Sequence, residues 1–183
     1  MSNLESSCYT FDDGVTIGNE FLSLAKQINP KVEKSPGDFL SEDELRPFFD
    51  EISKRSRYGR PFPCFQGILS RIVGRSGFET PLCNVWGIED FWERQSNYAP
   101  ICEIPPKLGF IQFGDWTGRS DGDAWLVDTA WGRISAMYVG SGEPDQDQVR
   151  LSCYANFYSP WQWISYLRWE AWEREWIPKP DNR

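Results

Sequence analysis

Gly122-Asp123-Ala124-Trp125-Leu126-Val127-Asp128 decides the fold. An apolar run entered from the turn-forming stretch Gly118-Arg119-Ser120-Asp121-Gly122 reads as a strand fed by a hairpin. Working outward, residues 109–116 give a strand before it, and 133–139 and 149–155 give two after it. These are separated by Ala130-Trp131-Gly132 and by the polar run 140–148. In the last of them Val149, Leu151, Cys153 and Ala155 alternate with Arg150, Ser152 and Tyr154, the pattern of a strand with one buried face. Ser159-Pro160 then supplies an N-cap and a proline at the first helical position, so a helix closes the meander. On that helix Trp163, Ile164 and Leu167 share one flank, and Trp161, Trp169, Trp172 and Trp176 gather on another. The second flank reads first as packing against N-terminal helices and, more sharply, as a partner contact.

Upstream, the period is helical. Ile17, Phe21, Leu24, Ala25 and Ile28 predict a helix stopped by Asn29-Pro30, behind a loosely held lead-in over 1–16. Ser41-Glu42-Asp43-Glu44 is a capping box, with Leu40 placed to staple against Leu45. It predicts a helix over 42–56 in which Pro47 introduces a kink or a shifted start. Phe65, Ile68, Leu69, Ile72 and Val73 mark a third helix, with Gly77 as its terminator. Residues 82–88 read as a short strand and 89–93 as a helical turn. The expectation is an α+β fold: one domain over 1–183, with 1–40 as an N-terminal extension and helix, and a mainly antiparallel sheet of about five strands packed by N-terminal helices and a C-terminal helix.

Composition narrows the function. A net charge of −8 argues against nucleic-acid binding, which calls for a basic face, and favours a partner with a basic surface. Five scattered cysteines without a C-x-x-C pair, in a sequence opening Met1-Ser2-Asn3-Leu4-Glu5, predict reduced thiols in a cytoplasmic, soluble protein. No stretch reaches the length of a membrane span.

The chain contains no histidine, which removes Ser-His and Cys-His dyads, imidazole zinc sites and histidine acid–base chemistry. Residues 118–122 fit G-x-S-x-G, but a strand follows rather than a helix, so a hairpin turn explains them. Carboxylate chemistry remains as an alternative. Asp115, Asp121, Asp123 and Asp128 lie near Trp116 and Trp125, a grouping a glycosidase or carbohydrate-binding module could use if one of those indoles were exposed. Aspartates at strand ends and turns also have plain conformational reasons. Asp121-x-Asp123 and Asp145-x-Asp147 do not fit a calcium loop, and no cofactor is implied. The basic cluster Lys54, Arg55, Arg57 and Arg60 reads as cations at the negative end of the second helix.

Four stretches in order, Gly109-Phe110-Ile111-Gln112-Phe113-Gly114, Gly122 to Asp128, Gly132-Arg133-Ile134 and Asn156-Phe157-Tyr158-Ser159, resemble the SUKH superfamily of Smi/Knr-type proteins. The resemblance implies a bacterial immunity protein that binds and neutralises a cognate toxin, often a nuclease, with no active site of its own. A regulatory scaffold is the alternative within the same superfamily. On the immunity expectation, Asp121, Asp123, Glu143, Asp145 and Asp147 provide charge toward a basic toxin, and Trp116 and Trp131 provide anchoring contacts.

Overall fold

The computed structural model describes residues 9–34, 36–55, 62–90, 110–116, 123–129, 132–137 and 153–179, with the side chains at 51, 52, 55, 116, 137, 153 and 154 outside that description. The architecture is α+β. Helix α1 (Phe11–Ile28) is followed by a 3-10 turn (Pro36–Asp38), α2 (Glu42–Arg55) and α3 (Pro63–Ile72). Six strands come next: β1 (Phe78–Glu79), β2 (Asn84–Val85), β3 (Phe110–Trp116), β4 (Asp123–Asp128), β5 (Arg133–Met137) and β6 (Cys153–Phe157). Helix α4 (Pro160–Glu173) closes the order. The strands form one antiparallel sheet in chain order, β1 to β6, each paired with its sequence neighbours. The sheet therefore has one strand more than the expected five. The addition is β1, two residues that a periodicity argument cannot register.

Helix α1 begins six residues before the expected Ile17. Thr10 caps it: its Oγ1 accepts from the Asp13 N–H at 3.1 Å, while the Asp13 carboxylate accepts from the Thr10 N–H at 2.7 Å. The first turn of α1 meets α3 through glycine. A Cβ on Gly14 would lie 1.9 Å from the Cys64 carbonyl oxygen, and one on Gly67 would lie 2.1 Å from the Phe11 carbonyl oxygen. The two helices thus touch backbone to backbone.

The capping box of α2 forms as read: Ser41 N–H and Oγ both donate to Glu44 Oε2 at 2.8 Å, and Leu40 and Leu45 are both buried. The helix runs through Pro47 with its start unshifted. Helix α3 ends at Ile72, and the left-handed residue after it is Gly74 (φ +55), not Gly77. The 82–88 strand is shorter than expected, covering only Asn84–Val85, and residues 88–90 are helical.

One face of the sheet carries Val85, Ile111, Phe113, Trp125, Val127, Ile134 and Ala136. These join Phe21 and Leu24 of α1, Phe65 and Ile68 of α3, and Trp163 and Leu167 of α4 in a single core. Trp163 is its centre. Its ring stacks on Phe21 at 5.1 Å and meets Phe113 and Trp125 edge-on at 5.9 and 6.0 Å. The other face is also buried: Phe110, Gln112, Ala124, Leu126, Asp128 and Ser135 alternate with the core-facing residues and are all closed to solvent.

Candidate interaction surface

The acidic and aromatic residues singled out in the sequence fall into three groups. Trp125 is 1% exposed, which removes it as a stacking platform for a sugar. Asp123, at the start of β4 and paired in register with Trp116, is 5% exposed and is a carboxylate of the sheet interior rather than a displayed charge. Asp121, Trp131, Glu143, Asp145 and Asp147 lie outside the described residues, as does the side chain of Trp116, and so does the whole G-x-S-x-G stretch. That stretch joins β3 to β4, an antiparallel pair, so a strand follows it rather than a helix.

The remaining acids of the meander are built into the fold. Asp115 accepts from Trp86 Nε1 at 3.2 Å and from Gln112 Nε2 at 3.0 Å. Asp128 is fully buried beside its cross-strand partner Arg133, whose Nε donates to Asp128 Oδ2 at 3.2 Å. Beside them Ser135 Oγ donates to Asn156 Oδ1 at 2.8 Å. Asp128, Arg133, Ser135 and Asn156 lie on neighbouring strands β4, β5 and β6, and their hydrogen bonds offset the cost of burial.

Among the described residues, Cys64 and Cys83 are held as thiols. Burial raises the Cys64 thiol to about 12, helped by the Asp13 charge. Burial likewise raises Cys83 to about 12 against a hydrogen bond from Thr80. An open hollow at the β1 edge, lined by Asn29, Glu79, Thr80 and Pro81, contains one carboxylate, and the Asn29 amide there already donates to the Glu79 carbonyl at 3.0 Å. Among the described residues no three Cys, Asp or Glu side chains converge as a metal site.

What the fold does display is aromatic. The exposed large apolar side chains among the described residues are Tyr158 (52%), Trp161 (39%) and Trp169 (50%), all at the β6–α4 junction or on α4. Trp161, Ser165 and Trp169 follow at i, i+4 and i+8 and so form one stripe, with the two indoles about 12 Å apart along the axis. The expected tryptophan flank is therefore divided: Trp172 and Trp176 pack on the core, while Trp161 and Trp169 face outward.

This surface is rigidly founded. Trp169 lies 5.6 Å from the Tyr166 ring, Tyr166 lies 5.2 Å from Phe157, and Phe157 lies 6.3 Å from buried Trp125, a continuous run of rings from core to surface. Tyr158 is fixed from behind. The guanidinium of Arg133 lies 5.6 Å from its ring and donates to its hydroxyl at 3.3 Å, and Arg133 is itself held by Asp128. At the other rim Arg168 pairs with Glu20 of α1 at 2.8 Å. The tryptophan flank of α4 is visible in the sequence, whereas the expected anchors, Trp116 and Trp131, have side chains outside the described residues. Helical spacing sets all four tryptophans apart from Trp163 and Leu167 on the buried side, but does not by itself single out Trp161 and Trp169.

No protein-family model matches this chain, and no curated protein or solved structure matches it either.

Proposed function

We propose that this chain is a non-catalytic binding protein of the immunity type, which neutralises a toxin bearing a basic surface inside the cytoplasm. The observation that carries the reading is the exposed aromatic surface of Tyr158, Trp161 and Trp169, with Tyr158 and Trp169 backed from the core, on a chain of net charge −8. Large aromatics with fixed rotamers bury area at little entropic cost and dominate protein interfaces, and an excess of one charge speeds encounter with the opposite one. The meander acids agree with this, since Asp115 and Asp128 are spent on the fold's own donors. The resemblance to SUKH proteins supplies the class of partner, and the free, buried Cys64 and Cys83 suit a reducing compartment.

The test is co-expression with the product of the adjacent gene, followed by purification at two salt concentrations. The expected result is a complex that forms at low salt, weakens as the Debye length shrinks from about 30 Å toward 3 Å, and abolishes the partner's toxicity. Turnover of a substrate by the purified chain, lost on an aspartate-to-asparagine change that leaves folding intact, would overturn the reading.

A further inference from the structure

Elsewhere in the described structure this chain sets its own cations against four partly exposed rings. Lys34 Nζ lies 5.7 Å from the Phe78 ring centre, Arg71 lies 4.5 Å from Phe39, Arg133 lies 5.6 Å from Tyr158 and Arg174 lies 5.3 Å from Trp176. Trp161 and Trp169, the two exposed indoles, carry no such cation. Among the described residues Trp169 has the Tyr166 ring as its aromatic neighbour, and neither indole has a cation over it. Indole is the strongest cation acceptor among the aromatic side chains, and its attraction for a cation grows when both are taken out of water.

Resting on the binding reading above, we infer that the stripe Trp161–Ser165–Trp169 is the docking surface itself. Its occupant is an extended segment of the partner that places arginine or lysine side chains on the two bare indoles.

Three observations commit the surface to a cationic occupant. The chain is strongly acidic, so a basic segment is drawn toward it from a distance. The exposed Ser165 between the indoles has a small side chain and carries no charge of its own to compete with a cation. The one nearby cation on α4, Arg168, is turned to Glu20 and paired with it. A guanidinium suits the site better than an ammonium, because it stacks flat on an indole and is less strongly hydrated. Tyr158, held by Arg133, adds a third anchor beside the stripe.

The experiment titrates the full chain, labelled with nitrogen-15 in its indoles, with a short peptide carrying two arginines, and repeats the titration with its neutral citrulline counterpart. W161F and W169F assign the two resonances. The Trp161 and Trp169 indole signals are expected to shift saturably while the buried indoles stay in place, and the citrulline peptide is expected to bind roughly tenfold more weakly or worse. The double variant W161A/W169A, truncating two exposed side chains, is expected to keep the fold and lose the binding. S165R, which sets a cation of the chain between two intact indoles, is expected to block it as well.

Equal binding of the citrulline peptide, shifts confined to other indoles, tighter binding of a chito-oligosaccharide at the same resonances, or a dimer by sedimentation with these indoles in its interface would each overturn the inference. A toxin complex that forms and survives W161A/W169A overturns this inference and leaves the immunity reading standing. Failure to form any complex with the adjacent gene product, at any salt concentration, overturns both.

Discussion

A methyl group at Gly14 would sit 1.9 Å from the Cys64 carbonyl oxygen, and this distance decides a conflict between two effects. Replacing a helical glycine by alanine should stabilise α1 by about 1 kcal/mol through chain entropy, but forcing α1 and α3 apart costs about 1–3 kcal/mol or more. Packing wins. Gly14→Ala is expected to lower the urea midpoint, while Ser23→Ala, on the exposed side of the same helix, should leave it level or raise it.

Titration provides a second test at this scale. Hydrogen bonds from the Ser41 backbone and hydroxyl, then from Arg75, lower the Glu44 carboxyl from 4.5 to about 2. Because the folded value is depressed, its contribution is present above the unfolded value near 4.5 and disappears as pH falls toward 2. The difference in melting temperature between the native chain and Glu44→Gln should therefore be largest at neutral pH and close near pH 2. Cys64 and Cys83, with thiols raised to about 12, should resist a thiol reagent at pH 8 in the folded state and react on unfolding.

The β4–β5 ladder sets Asp128 opposite Arg133, and the ion pair between them is closed to water. Asp128→Asn or Arg133→Met alone should cost about 3–5 kcal/mol, since each strands a polar or charged partner. The double variant should recover much of that loss, as a denaturant double-mutant cycle would read.

The legibility of the sequence differed by element. The meander was readable because Asp123–Asp128 and Arg133–Met137 are apolar runs punctuated by turn residues, and α2 because Ser41 and Glu44 sit at capping-box spacing. The start of α1 is hidden because the buried residue ahead of Ile17 is Gly14, which carries no hydrophobic signal. Read as a stop signal, glycine points to Gly77 as the terminator of α3, a role that falls to Gly74. The first is a close-contact position, 2.5 Å from the Val85 carbonyl oxygen for an added Cβ, and the second has the positive φ.

At the scale of the whole molecule, a sheet buried on both faces leaves few strand side chains for display, so the outer side of α4 becomes the surface on which large apolar groups reach solvent among the described residues. This is also why the aromatic anchors were only partly legible. Trp161, Trp169, Trp172 and Trp176 are alike in sequence, and only the position of α1 beside α4 and the turn after Glu173 separate the covered pair from the bare one. No helix among the described residues is long and apolar enough to cross a membrane.

The sheet is assembled from neighbours in sequence, but its helical layer is not. Glu20 meets Arg168 and Tyr9 meets Ser159, partners 148 and 150 positions apart. On a ribosome adding about 5–20 residues each second, the first of each pair waits on the order of ten seconds for the second. During that interval Phe21, Phe113 and Trp125 lack the indole of Trp163 that later sits between them. A nascent chain cut short before residue 160 would present that gap permanently, and quality-control proteases should clear it while sparing the finished protein.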